Sequence, residues 1–223
     1  MSEPVGKSAK SVKPAPKLLI AYNSISASLW SVILFNTVFL GLALGQPHLF
    51  EKTNKITTFI QCLAVVEIFN SALGIVKSPL FTTFTQVFSR LLIVLGICQY
   101  LPNSPANSHW CYITLSLSWS ITEIIRYSFY ASNLADPEKV PYWLTYLRYT
   151  TFYVLYPTGV ASEVSMIYLS LGEAKAVVGD WYYYFLAATL LTYPPGLYML
   201  YTYMIKQRKK VLGGSVKAEK KNQ

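Results

Sequence analysis

Tyr156 and Glu163 stand seven residues apart in the stretch LYPTGVASE, residues 155–163. On a helix that spacing is about 700° of rotation, so the two side chains share one face with Cα atoms about 10 Å apart along the axis. A phenol can donate a proton and a carboxylate can accept one. Brought together, the two could face adjacent carbons of one substrate. Pro157 offers no N–H to the carbonyl of Tyr153 and Gly159 loosens the same turn, which predicts a kink between the pair. Helical side chains lean toward the N-terminus, so Glu163 points back at Tyr156. The plainer reading is packing within a chain of 18 tyrosines. The residues alone leave both readings open. Tyr149, seven before Tyr156, extends the same face as a packing or lining residue.

Five further ionisable residues lie in or at the ends of apolar runs: Glu67, Arg90, Glu123, Arg126 and Arg148. A charge at the centre of a membrane helix costs about 2.5 to 3.5 kcal/mol, so these groups are expected to pair or to line a wet cavity. Glu67 and Arg90 fall at similar depths on consecutive runs and are the expected ion pair. Glu123 and Arg126 are three apart on one helical face and can pair with each other or with neighbours. Arg126 and Arg148, with Lys77, fall toward one end of the runs and predict a basic rim. Guanidinium forks bind phosphate bidentately, which suits a phosphate-bearing ligand. Snorkelling to lipid headgroups accounts for the same residues.

The elements that must position these groups are read from composition. The 223 residues are 53% hydrophobic and 13% charged, too few charges to cover a soluble domain of this length. About 20 helical residues cross a bilayer, and six almost charge-free runs reach that length: Leu18 to Leu44, Ile56 to Val76, Leu80 to Tyr100, His109 to Ser132, Tyr142 to Leu171 and Trp181 to Ile205. The spacers QPHLFEKTNK and LPNSPANS read as turns. Continuous runs of this length exclude a barrel, whose strands alternate over about ten residues. The first run exceeds the roughly 7 to 15 residues of a secretory core, so it is expected to be retained. The expected fold is an all-α polytopic membrane protein, a bundle of six transmembrane helices over residues 18–205. A disordered basic tail (1–17) precedes it and a second basic tail (206–223) follows.

Four lysines precede the first run and seven Lys or Arg follow the last, which places both tails in the cytosol and agrees with an even number of crossings. The formal charge of +9 is therefore mostly tail charge. Facing anionic lipid explains it without a nucleic-acid partner. The closing KKNQ fits a dilysine retrieval signal of the endoplasmic reticulum.

Other chemistries lack their residues. Cys62, Cys98 and Cys111 form no CxxC pair, His48 and His109 form no cluster, and no metal is expected. Ile68, Ser104 and Leu117 occupy the sixth places after the cysteines, so a Cys-x5-Arg phosphatase loop is missing. Phosphate-cradling GxxxxGKS loops and GxSxG elbows do not occur.

The blocks VEIFNSALGIVKSP (66–79), FTQVFSRLLIVLGI (84–97), WSITEIIRYSFY (119–130) and LYPTGVASE (155–163) resemble the very-long-chain 3-hydroxyacyl-CoA dehydratases, the family once called protein-tyrosine-phosphatase-like. The resemblance runs from about Leu18 to Leu212. It implies a six-span endoplasmic-reticulum enzyme converting (3R)-3-hydroxyacyl-CoA to trans-2-enoyl-CoA, the third step of very-long-chain fatty-acid elongation. Its catalytic Tyr and Glu carry over onto Tyr156 and Glu163, with no metal or redox cofactor required. The implied partners are the elongase condensing enzyme, the ketoacyl reductase and the enoyl reductase. Glu163 is expected as base and Tyr156 as proton donor, with the exchanged assignment open. Coenzyme A phosphates are expected at Lys77, Arg126 and Arg148, with Glu67, Arg90 and Glu123 as supporting charges. A small transporter with its moving part at Pro157, or a non-catalytic scaffold of the elongation machinery, is the alternative.

Overall fold

The computed structural model describes residues 17–76 and 78–219, with side-chain surroundings through 213. Lys77, the N-terminal lysines and the KKNQ end lie outside the described residues. Within them the chain is all helical, with no strand. Helix α1 (Lys17–Ala43) is followed by α2 (His48–Leu63), α3 (Val65–Ala72) and α4 (Leu80–Leu91), which continues as a π-helical segment over Leu92–Gln99. A short α5 (Pro105–Ser108) leads into α6 (Cys111–Ala135), then a 3-10 turn at Pro137–Lys139, α7 (Tyr142–Thr150) and α8 (Phe152–Glu173). A second π segment (Ala174–Val178) precedes α9 (Asp180–Glu219).

Helix α1 is inside out. Its buried positions are Asn23, Ser26, Trp30, Ile33 and Thr37, spaced three and four apart. Ile25, Val32, Phe35, Phe39 and Leu42 are exposed on the opposite side. Where the surroundings are lipid, apolar side chains face outward and small polar ones join helices. Thr37 Oγ1 does so, lying 2.6 Å from Ser116 Oγ on α6. Helix α1 packs along α6, α6 along α8, and α8 along α9. The core between them holds Ile33, Ile93, Ile97, Leu115, Met166 and Leu186. Two helical stretches, Lys17–Ala43 and Leu80–Gln99, are long and apolar enough to cross a membrane.

Three boundaries differ from the sequence expectation. QPHLFEKTNK reads as a spacer, yet α2 starts at His48 and buries Leu49, Phe50, Thr53, Thr57 and Ile60. That is a helical stripe built partly from threonines, and Thr53 Oγ1 sits 2.9 Å from the Tyr112 hydroxyl on α6. Helix α9 runs past Ile205 to Glu219, because Lys, Arg and Gln are good helix formers and no proline follows Pro195. The run Tyr142 to Leu171 is divided at Thr151, whose carbonyl accepts from both Val154 N (3.2 Å) and Leu155 N (3.0 Å). The division lies upstream of Pro157, which sits inside α8.

The π segment of α4 also has a local cause. Tyr182 of α9 donates to the Gly96 carbonyl at 2.8 Å, and a Cβ at Gly96 would stand 2.7 Å from that hydroxyl. Only glycine allows the α4 backbone to approach the tyrosine this closely.

Candidate functional site

Glu67, Arg90, Glu123 and Arg126 form one connected group, in a different pairing from the expected one. Glu67 does not meet Arg90. Arg126 turns inward and forks onto Glu67, with Nη1 donating to Oε2 and Nη2 to Oε1, both at 2.7 Å. Its Nε donates to Glu123 Oε2 at 2.8 Å. Arg90 Nη1 donates to the other oxygen of Glu123, and the Tyr127 hydroxyl donates to Glu67. Helices α3, α4 and α6 are thus tied by two carboxylates and two guanidiniums whose charges cancel. Helical depth alone suggested Glu67 with Arg90, but rotation about each axis decides which partner is faced. A guanidinium with five donors can also serve two carboxylates at once. Arg126 is consequently committed to Glu67 and Glu123 rather than to a rim.

Glu163 belongs to a second arrangement. It is buried on α8, and Trp119 Nε1 of α6 donates to its Oε1 at 3.0 Å. The Tyr193 hydroxyl of α9 donates to its Oε2 at 2.9 Å. Neither donor is charged. Arg90, whose guanidinium carbon lies 5.7 Å from the Trp119 ring centre, is within electrostatic reach of Glu163. Trp119 therefore stands between the neutralised charge group and this carboxylate.

Tyr156 lies on the Glu163 face of α8, half-buried and within electrostatic reach of it. Its ring stacks on Tyr201 of α9 with centroids 6.5 Å apart. Among the described residues its hydroxyl has no hydrogen-bond partner, whereas that of Tyr193 is engaged on Glu163. Across the bundle from α6 to α9 the structure thus places a carboxylate with two neutral donors, and on the same helix face a phenol free to act. Sequence reasoning missed Trp119 and Tyr193, which contact Glu163 across 44 and 30 residues. Their signal was present, since Trp119 opens WSITEIIRYSFY and Tyr193 opens YPPG, the echo of YPTG in the last run.

Arg148, on α7, donates from Nη2 to the Tyr130 hydroxyl at 3.3 Å and has no carboxylate partner among the described residues. No group of three or more His, Cys, Asp or Glu suited to a metal occurs among the described residues.

The fold is all-helical with two stretches long and apolar enough to cross a membrane, and one helix carries a buried carboxylate and a half-buried phenol on the same face. The comparisons with known proteins make the class specific. The family model described as "Protein tyrosine phosphatase-like protein, PTPLA" matches residues 61–214, and the chain belongs to that family. It is 40% identical over 213 residues to the very-long-chain (3R)-3-hydroxyacyl-CoA dehydratase hpo-8 of Caenorhabditis elegans, covering 89% of this chain and 96% of that protein. It is 41% identical over 197 residues to a probable very-long-chain (3R)-3-hydroxyacyl-CoA dehydratase of Schizosaccharomyces pombe, covering 85% and 90%. The Arabidopsis thaliana dehydratase PASTICCINO 2 is 36% identical over 209 residues, covering 88% and 93%. No solved structure matches the chain.

Proposed function

We propose that this chain dehydrates very-long-chain (3R)-3-hydroxyacyl-CoA to the trans-2-enoyl-CoA, with Glu163 and Tyr156 as the acid-base pair. The observation that carries the reading is the Glu163 carboxylate. Both its oxygens accept hydrogen bonds from neutral donors, so it is presented as an acceptor, and no salt bridge occupies it. Glu163 takes the proton from C2, next to the thioester carbonyl. The electrons of that C–H bond form the new C2=C3 bond, and the C3–O bond breaks as the Tyr156 hydroxyl donates its proton to the departing oxygen. Water leaves. Glu163 ends protonated and Tyr156 deprotonated, and proton transfer between them restores the pair.

Six crossings are part of this reading: α1, α2 with α3, α4 with its π segment, α6, α7 with α8, and α9. Each pairs with one of the six apolar runs, and an even number keeps both lysine-rich ends on the cytosolic side. The endoplasmic reticulum is the proposed membrane, supported by the substrate class in the relatives' names. The condensing enzyme and the two reductases of the elongation cycle are the proposed partners, since they make the substrate and consume the product. Arg148 faces the coenzyme A phosphates at the cytosolic mouth.

Turnover of 3-hydroxyacyl-CoA by purified, folded Glu163→Gln and Tyr156→Phe tests the pair. Both should lose dehydration, and near-normal turnover by either removes that residue from the chemistry.

A further inference from the structure

The chain has four arginines, Arg90, Arg126, Arg148 and Arg208. The first two are bound to carboxylates. Arg148 and Arg208 have no carboxylate partner among the described residues, and each is held by neutral groups. Arg148 donates to the Tyr130 hydroxyl, and its guanidinium carbon lies 5.6 Å from the Tyr130 ring centre and 5.9 Å from that of Tyr149. Arg208 reads from sequence as one of the tail cations. In the structure it is half-buried on α9 and turned onto α7, where Nε donates to Thr150 Oγ1 at 3.4 Å. Its guanidinium carbon sits 5.6 Å from the Tyr153 ring centre. Aromatic faces hold a cation without cancelling its charge. Each guanidinium uses one of its five donors on these neighbours and keeps the rest.

We propose that Arg208 joins Arg148 in a two-guanidinium site for the phosphates of coenzyme A, at the end of the bundle where α6, α7 and α9 meet. The proposal rests on the dehydratase reading and deepens it. Its geometry fits the ligand's length. From Tyr153, beside Arg208, to Glu163 is ten residues of helix, about 15 Å. The pantetheine arm between the phosphates and the sulfur, with the reach of four or five extended residues, is roughly 15 Å. Along that interval the rings of Tyr153, Tyr201 and Tyr156 follow one another at centroid separations of 6.2 and 6.5 Å. They lead from the guanidinium to the phenol. The neighbouring Lys206, Lys209 and Lys210 are exposed, as lipid-facing cations should be. Arg208 differs in being drawn inward.

The same phosphate chemistry occurs in anionic lipid headgroups, so the test separates the two sources. In neutral-detergent micelles, kcat/KM is measured for a 3-hydroxyacyl-CoA and for the phosphate-free 3-hydroxyacyl-pantetheine. The ratio of the two is the readout. Arg208→Gln should lower the ratio about tenfold, the loss of one charge-assisted contact. Arg208→Lys should restore part of it, and Lys209→Gln should leave it as in the wild type. An unchanged ratio in Arg208→Gln overturns the site, as does an equal fall in Lys209→Gln. An unchanged ratio with weaker retention on phosphatidylserine vesicles assigns Arg208 to lipid. If wild-type protein dehydrates neither thioester, the dehydratase reading itself fails, an outcome distinct from an unchanged ratio. Turnover of the pantetheine thioester by each variant shows that it is folded.

Discussion

Glu123 and Glu163 are buried glutamates on adjacent helices, 0% and 8% exposed, with Trp119 beside both arrangements. Glu123 meets two guanidiniums, and Glu163 meets an indole and a phenol. The first is a neutralised strut: its charge is cancelled, its lone pairs are taken by cations, and losing a partner strands a charge in a medium that cannot solvate it. The second accepts hydrogen bonds from neutral donors and has no salt bridge, the arrangement the proposed base requires. One residue type thus stands among cations in one place and among neutral donors in the other, and the proposed chemistry is assigned to the second.

The largest expected break in this comparison is Glu163→Gln, which keeps the side-chain shape and removes the proposed base. Dehydration should fall roughly a thousandfold or more, with the folded fraction in detergent unchanged, read by single-turnover product formation. Tyr156→Phe should cost roughly a hundredfold or more in the same assay, because water replaces the phenol imperfectly as proton donor. Arg126→Gln probes the strut instead. It leaves Glu67 and Glu123 short of a cation and should destabilise the bundle by about 3 to 5 kcal/mol, seen as a lowered unfolding midpoint with the activity of the surviving folded fraction retained. Tyr193→Phe sharpens the contrast from the other side. Loss of one neutral donor to Glu163 should lower kcat about tenfold with KM and thermal stability little changed, measured by steady-state kinetics and a melting scan. If Tyr193→Phe instead unfolds the protein as Arg126→Gln does, the two glutamates are not different in kind.

The helical class, the approximate placement of the long runs, and the shared face of Tyr156 and Glu163 were legible in the sequence because each rests on local periodicity. A continuous apolar run of about twenty residues announces a long helix, and a seven-residue spacing fixes a face within one helix. The start of α2 was not legible, since its buried stripe uses Thr53 and Thr57 and looks polar until Tyr112 is placed opposite.

Partner choice was likewise beyond reach. Sequence spacing brought Glu123 to Arg126, three residues along one helix. It could not say that the same guanidinium also takes Glu67, or that Arg90 goes to Glu123. The rotation of α3, α4 and α6 about their axes settles those pairs, and rotation follows from packing summed over whole helix faces. The sequence by itself determined which groups are present and which share a helix. Only the tertiary structure decided that Trp119 and Tyr193 hold Glu163 and that Arg208 turns inward beside α7. Hydrogen bonds and ion pairs reach about 3 Å, and which atoms come that close across tens of residues is a property of the packed bundle.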